Sequence, residues 1–185
     1  YKCQNKDCIA KIKGSIQHYV SKSCMNIDGL GEKIIAVLLK NNLISNFSDL
    51  YNLTISEISQ LDRMGEKSAK NIISAIQNSK KISLDKFINA IGINHIGQNA
   101  SKKLSNHFNG KIDLLINSSR DELISINEIG DIMADSIISY FSDENNIKII
   151  NQCIDSGLEF HNLEINTQTS IFNKIFVFTG NLESM

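Results

Sequence analysis

Four glycines recur at nearly equal intervals in this sequence, each between an apolar turn and a stretch of helical periodicity. Gly31, Gly65, Gly97 and Gly130 are separated by 34, 32 and 33 residues. A repeated interval of this length indicates a repeated helical unit. A helix that begins at such a glycine directs unpaired N–H groups and the positive end of its dipole outward, where they can bind an anion. We therefore predict four similar anion sites, and the repeating anion that fits them is a nucleic-acid backbone.

Side chains beyond the glycines could add positive charge to these sites. Lys33 and Lys67 each lie two positions after a glycine, and Lys102 lies further along the third helix. Ser68 follows Lys67 directly and belongs to the same candidate site. An ammonium group at this position can make a charge-assisted hydrogen bond to a phosphate. The fourth site has Asp131 instead, which suits the helix dipole but would repel a phosphate, so we expect it to be the most structural of the four.

A short turn ends at each glycine, and we number the turns by their order. Turns 1 to 4 comprise residues 27–31, 61–65, 91–97 and 126–130. Because glycine adopts positive φ readily and lets another segment approach closely, we expect the turns to use both properties. Gly29 and Gly92 are further turn glycines, and Arg63, where a second glycine would stand, either tightens turn 2 or contacts a phosphate. His95 in turn 3 either packs the turn or contacts the ligand.

Paired helices must position these turns. After every turn, apolar residues recur on one helical face. They are Ile34, Ile35, Leu38 and Leu39, then Ala69, Ile72, Ile73 and Ile76, then Ala100, Leu104 and Phe108, then Ala134, Ile137, Ile138 and Phe141. Shorter helices are expected before the turns, near residue 50 and over residues 55–58, 87–91 and 114–126, with caps at Ser56, Ser83 and Ser119. Two more helices are predicted over residues 9–21 and 143–156, the second ended by Gly157.

Composition indicates a mainly α protein and narrows its surroundings. The 185 residues are 42% apolar, with no Pro, no Trp and a net charge of −1. Proline-free sequence suits helices joined by glycine turns, and the near-neutral charge argues against a general affinity for nucleic acid while leaving room for local backbone sites. No apolar run reaches ~18 residues, so no membrane partner is expected. Four scattered cysteines are too few for a disulfide framework and favour the cytoplasm.

Both ends of the sequence predict incomplete units. The chain begins with Tyr1 and carries no leader-like segment, while residues 162–170 form a polar stretch. The apolar run at residues 175–179 that follows is typical of a buried strand in a parallel sheet. We therefore expect an internal piece of a longer protein.

Four segments resemble a known family in residue types, order and spacing. They are residues 3–8 with their two cysteines, 25–33, 64–71 and 90–97. Together they resemble bacterial NAD-dependent DNA ligase, and the resemblance covers essentially the whole chain. It implies a mainly α fold with four tandem helix-hairpin-helix motifs, a partial zinc finger before them and the start of an α/β BRCT domain after them.

The resemblance also implies domain boundaries. Residues 1–24 would be the second half of a four-cysteine zinc finger with a connecting helix, and residues 25–160 the helix-hairpin-helix DNA-binding domain. Residues 161–170 would be a linker, and residues 171–185 the first strand of the BRCT domain.

The family activity implied is the sealing of nicks in duplex DNA during replication and repair. The parent enzyme would use NAD and magnesium, bound by adenylation and OB-fold domains that lie before this segment. No lysine here matches the adenylation motif, so no catalytic residue is assigned and the segment is expected to be inactive alone. Its own role would be to hold nicked duplex DNA, as a nucleoid-associated monomer, through the backbone and without sequence specificity.

Twelve positions are assigned to DNA binding by the turn pattern together with the resemblance. They are Gly29, Gly31, Lys33, Arg63, Gly65, Lys67, Ser68, Gly92, His95, Gly97, Lys102 and Gly130.

The resemblance makes Cys3 and Cys8 two of four zinc ligands, which leaves half of a tetrahedral site in this chain. A rival set adds His18 and Cys24 to them; otherwise Cys24, like Cys153, is expected in the core. Two other functions stay open from the residues alone. One is a non-catalytic helix-hairpin-helix module of a nuclease or recombination protein, and the other is a helical adaptor whose turns touch protein.

Overall fold

The computed structural model describes residues 8–62 and 64–161. Cys3, Arg63, residues 162–170 of the expected linker and the expected BRCT strand lie outside the described residues. The described ranges are mainly helical, as predicted. The elements are α1 Ile9–Val20, α2 Glu32–Lys40, a 3-10 helix Ser48–Asn52, α3 Ile55–Ser59, α4 Glu66–Asn78, β1 Lys81–Ser83, α5 Leu84–Ala90, α6 Gln98–His107, α7 Ile112–Ile116, α8 Arg120–Ser125, α9 Asp131–Phe141, α10 Glu144–Asp155 and β2 Glu159–His161.

Helices pack in pairs across the four turns. Pair 1 is α1 with α2, pair 2 is α3 with α4, pair 3 is α5 with α6, and pair 4 is α8 with α9. In pair 3 the first helix, α5, ends at Ala90. Turn 3 is two residues longer than the other turns, and its last five residues, 93–97, correspond to the five residues of each of the others. Every turn then has an apolar residue at its first and fourth positions, and a glycine at its fifth. The repeat predicted from the glycine interval is confirmed as a repeated pair of helices.

The apolar faces predicted for the second helix of each pair are confirmed. Buried residues three and four apart line each of these helices, which is the spacing of one helical face. They are Ile35 and Leu38 in α2, Ala69, Ile72 and Ile76 in α4, Ala100 and Leu104 in α6, and Ala134, Ile137 and Phe141 in α9. Phe108, the C-cap residue of α6, is buried with them. Packing of these faces forms one continuous core.

The helix caps follow the sequence in part. Ser119 caps α8 as predicted, because its hydroxyl accepts a hydrogen bond of 3.1 Å from the N–H of Glu122. The cap predicted at Ser56 is wrong, since α3 is capped by Thr54. Thr54 and Glu57 bond each other's backbone reciprocally, which satisfies two helix-end donors at once. Ser83 lies at the start of α5 as expected but makes no side-chain cap bond.

The helix predicted over residues 114–126 is two helices, α7 and α8. Asn117 donates to the carbonyl of Asp113 at 2.8 Å, and Ser118 donates to that of Leu115 at 2.7 Å. These side chains compete with the backbone for the helical carbonyls, so α7 ends there.

The described residues also form a two-stranded parallel sheet that the sequence pattern did not predict. β1 pairs with β2 in the register of Ile82 opposite Phe160. His161, where the linker was expected to begin, is the last residue of β2, and the linker itself stays a prediction. Strands of three residues are too short to give an alternating pattern, and a parallel pair needs partners far apart in sequence. α10 agrees with the prediction, and Gly157 follows it with a φ of 94°. No described helix is both long and apolar enough to span a membrane.

A buried polar cluster joins the first helix to the last. The Tyr19 hydroxyl lies 2.8 Å from that of Tyr51 and 4.0 Å from Cys153 Sγ. The Tyr19 ring stacks on Phe47 with 4.4 Å between centroids. Burial raises the pKa of Cys153 to about 12 and that of Tyr51 to about 12. Burial, followed by the neighbouring Cys153 and Tyr51, raises the pKa of Tyr19 well above its ordinary value.

Because the groups of this cluster are buried in their protonated form, we expect the folded protein to lose stability at alkaline pH. In the unfolded chain a cysteine ionises near pH ~8.5 and a tyrosine near ~10, whereas the folded protein holds these protons more tightly. Stability is therefore complete below pH ~8.5 and falls as the pH rises toward ~12, by on the order of 5 kcal/mol for Cys153 alone. Urea unfolding at pH about 7, 9 and 11 measures it. Cys153→Ala is the control: its stability should fall less steeply between the same pH values, and an equal fall would contradict the assignment.

Candidate functional site

Each predicted anion site begins at its glycine. Gly31, Gly65, Gly97 and Gly130 are the N-cap residues of α2, α4, α6 and α9. Their carbonyls accept the first helical hydrogen bonds at 2.9 to 3.1 Å, from the N–H groups four residues on. The sequence prediction that the second helix of each pair starts at the last turn glycine is confirmed.

The positive φ expected of these turn glycines is not found at the four cap glycines. Their φ angles are −72°, −83°, −104° and −92°, values that any residue adopts. The left-handed residue lies two positions earlier: Gly29 has φ 88°, His95 has 64° and Glu128 has 68°. The equivalent residue of turn 2, Arg63, lies outside the described residues. A middle turn residue, and not the cap glycine, reverses the chain direction.

Open space surrounds the four cap glycines. A Cβ built on any of them would meet no described atom within 4 Å. Gly29 differs, because a Cβ there would lie 2.9 Å from Cγ1 of Ile72 in α4. Gly29 is thus required by packing between pairs 1 and 2, whereas the cap glycines leave a clear approach to the helix ends from outside.

The helix ends at these glycines have no side-chain cap. None of α2, α4, α6 and α9 shows a cap hydrogen bond from a side chain, and neither do α1, α5 and α7, whereas α3, α8 and α10 use Thr54, Ser119 and Asp143. A helix leaves its first N–H groups without helical partners. At the four glycines those donors are left for water or for a ligand. Glycine tolerates the N-cap position, but Ser, Asn and Asp serve it better, so the choice of glycine at all four favours close approach of an anion.

The acidic residues at the first two sites are paired with lysines. Glu32 forms an ion pair of 2.7 Å with Lys13 of α1, and Glu66 one of 2.6 Å with Lys70. The hydrogen bond from Lys13 lowers the pKa of Glu32. Lys33 and Lys67 are exposed and form no ion pair within residues 8–62 and 64–161. Both lysines are therefore available to an external anion.

At turn 3 the tertiary structure adds cations that the sequence analysis missed. A groove of about 200 Å³ beside the start of α6 is lined by Lys102, as predicted, and also by Lys22 and Lys86. Lys22 follows α1 and Lys86 lies in α5, so no local pattern links them. Asp85 lines the same groove, and its Oδ1 has no hydrogen-bond partner among the described atoms. The third site thus has three ammonium groups although it lacks the lysine of the first two.

The acidic residues in turn 4 and at the start of α9 are themselves paired. Arg120 bonds Asp131 at 2.6 Å and Asp135 at 2.7 Å. Glu128 forms an ion pair of 2.6 Å with Lys103 of α6. The two cations named at this site, Arg120 and Lys103, are thus already paired with carboxylates, whereas Lys33 and Lys67 at the first two sites form no ion pair within the described ranges.

The remaining predicted site residues, His95, Gly92 and Ser68, are exposed. His95 is exposed, and Gly92 has φ 69° with the His18 ring 3.7 Å from a Cβ built on it. His18 Nε2 lies 2.7 Å from the carbonyl oxygen of Asn89. Ser68 is exposed on the first turn of α4.

A zinc site is not formed by the described residues. No group of three or more His, Cys, Asp or Glu side chains converges there. Cys8 is partly exposed just before α1, and Cys24 is buried, as expected. His18 Nε2 lies 3.6 Å from Cys24 Sγ, and Asn89 Nδ2 donates to that sulfur at 3.1 Å. These two members of the rival set are therefore engaged with Asn89.

Two family models match ranges that together contain the four turns. A model described as a SAM-like helix-hairpin-helix tandem matches residues 23–78, which contain turns 1 and 2. A model described as a helix-hairpin-helix motif matches residues 86–150, which contain turns 3 and 4.

Curated proteins match the chain over its whole length. It is 40% identical over 190 aligned residues to a protein named DNA ligase from Bacillus pumilus, and 40% to one from Bacillus subtilis. It is 42% identical over 190 residues to a protein named DNA ligase from Bacillus cytotoxicus. Each match covers 100% of this chain but 28% of the relative, so the chain spans just over a quarter of the length of these relatives.

Proposed function

Because this chain is a homologue, along its whole length, of one region of the DNA ligases and carries helix-hairpin-helix motifs, we propose that it is the DNA-gripping part of a nick-sealing ligase. The parent enzyme would join nicks in duplex DNA in replication and repair. This part would hold the nicked duplex by its backbone, from the minor-groove side, without reading sequence.

One observation carries the proposal. Four helices start at exposed glycines with no side-chain cap and with open space where a Cβ would be. A phosphate oxygen could approach the free N–H groups to ~2.9 Å, which any larger residue at that position would hinder. Nothing within the described fold requires glycine at these positions, so a ligand that approaches from outside accounts for them.

The charged side chains near each turn support phosphate binding of different strength at the four sites. Lys33 and Lys67 would each add an ammonium to a phosphate at turns 1 and 2, and Ser68 a hydroxyl. Lys22, Lys86 and Lys102 would serve turn 3 together. Gly29, Gly92 and His95 would shape the turns beside the backbone, Arg63 would reach a phosphate at turn 2, and Gly130 would make the weakest phosphate contact.

The ligase relatives favour this function over a stand-alone module. Similarity to DNA ligases extends through residues outside the two helix-hairpin-helix matches, which a shared DNA-binding motif alone would not require. The ligase would use NAD and magnesium in domains that precede this segment, act as a monomer in the bacterial cytoplasm, and be inactive when reduced to this part. Cys3 and Cys8 would contribute two of the four zinc ligands, and residues 171–185 would begin a BRCT domain.

We expect Lys33→Ala and Lys67→Ala each to weaken binding to a nicked duplex about tenfold, because each removes a charge-assisted contact to a phosphate. Each should also lower the slope of log K against log salt by about 1. Fluorescence anisotropy with a labelled nicked duplex at four NaCl concentrations measures both quantities, and a second duplex of scrambled sequence should give the same result.

Lys40→Ala is the matched control for these variants. Lys40 is exposed at the opposite end of α2, so its loss changes the net charge equally without removing a turn contact. Equal effects of all three variants would mean that only the total charge matters, and the assignment of Lys33 and Lys67 would be rejected.

A further inference from the structure

An exposed isoleucine occupies the place of the lysines at the fourth site. Counting from the cap glycine, Ile132 holds the same position as Lys33 and Lys67. It is 68% exposed, although it is a large apolar residue. Arg120 already spans the neighbouring Asp131 and Asp135, and its charge offsets one of the two negative charges that these acids would present to DNA.

The start of α9 lies beside turn 3. Ile132 shares one surface hollow with Gly92 and Asn94 of turn 3. Met133 shares another with Gly97, Gln98 and Asn99 at the start of α6. Lys103 of α6 also pairs with Glu128 of turn 4. Whatever surface turn 3 contacts therefore passes close to Ile132.

We propose that Ile132 makes an apolar contact to the deoxyribose edge of the minor groove, so that the fourth pair grips DNA without charge. The proposal rests on the proposed function, which lays turns 1 to 3 along the DNA backbone. A duplex held there has sugar C–H surface between its phosphates, and apolar side chains contact the minor groove in other DNA-binding proteins. The isoleucine side chain can pack on that apolar sugar surface. It would not pack against a phosphate, because the phosphate would lose its water without gaining a polar partner.

The test compares Ile132→Ser with the wild type on the full chain, using a nicked duplex at four NaCl concentrations. We expect about fivefold weaker binding with an unchanged salt slope, because the lost contact is apolar and releases no counterion. Ile132→Val should bind nearly as the wild type does. Leu114→Ser, on α7 and also exposed, is the matched control and should bind unchanged. Thermal unfolding checks that these surface changes leave the fold intact.

Hydroxyl-radical footprinting tests the sugar contact directly, since the radical attacks deoxyribose hydrogens. In Ile132→Ser, one or two protected sugars should become reactive while the rest of the footprint stays. If Ile132→Ser binds DNA with wild-type affinity, or if its salt slope falls by about 1, the apolar contact is rejected and the proposed function still stands. A wild-type chain that binds no DNA at low salt would overturn the proposed function and this inference together.

Discussion

Gly31→Ser combined with Gly65→Ser should weaken binding to a nicked duplex by roughly 100-fold and leave folding unchanged or slightly more stable. Serine at an N-cap bonds the N–H groups of the first helical turn, and these are the donors assigned to the phosphate. Its Cβ would also occupy the open approach seen at both glycines. Because the φ angles of −72° and −83° suit serine, the fold itself gains a cap. Anisotropy titration and urea unfolding measure the two effects.

The opposite signs of these two effects distinguish ligand binding from structure. Gly14→Ser is the matched control: this glycine lies inside α1 with no described atom within 4 Å of a Cβ, and its loss should not affect DNA binding. If the double variant binds as the wild type does, the N–H groups at turns 1 and 2 are not the anion sites. If it unfolds more easily, the cap glycines are structural after all.

Gly29→Ala should destabilise the protein by about 3 kcal/mol, the largest loss of folding stability that we expect from a single turn substitution. Two causes add. The φ of 88° is left-handed, which strains any residue with a side chain. The new Cβ would also lie 2.9 Å from Ile72 Cγ1, so pairs 1 and 2 would have to move apart. Urea unfolding gives the change in the free energy of unfolding.

A double-mutant cycle separates the two causes at Gly29. Ile72→Ala removes the atom in conflict, so Gly29→Ala should cost less in that background, and the remainder is the backbone strain. Gly31→Ala, two residues away, should cost under about 1 kcal/mol because its φ is unstrained and its surroundings are open. Equal costs for the two alanine variants would contradict the division of roles within the turn.

The helical pairs could be predicted from the sequence because their signals are local. A glycine at a fixed interval, an apolar residue before it and a helical periodicity after it are all contained in about 15 residues, and the structure confirms the resulting helix starts at Gly31, Gly65, Gly97 and Gly130. The same signals did not show which turn residue has positive φ, because a sequence pattern does not record backbone angles. Glu128 and His95 hold that conformation without being glycine, so composition could not indicate them.

Most charge pairs around the turns were beyond sequence reasoning because, unlike Glu66 and Lys70 within α4, their partners come from other helices. Asp131 suggested a repulsive site, but Arg120, which pairs with it, lies in another helix of the same pair. Lys22 and Lys86 join Lys102 only because α1 ends beside pair 3. An ion pair or a shared groove depends on distances in space, and the spacing of charged residues along the chain carries little information about them.

By itself, the sequence determined the repeat, the starts of the helices that follow the turns and the faces they bury, because backbone propensity and apolar periodicity act within a few residues. Only the tertiary structure decided that Gly29 is held by Ile72, that Glu32 is neutralised by Lys13, and that an exposed isoleucine stands beside turn 3. Those outcomes depend on how the pairs pack against one another, and packing is set by the shapes of whole helices together rather than by any one segment.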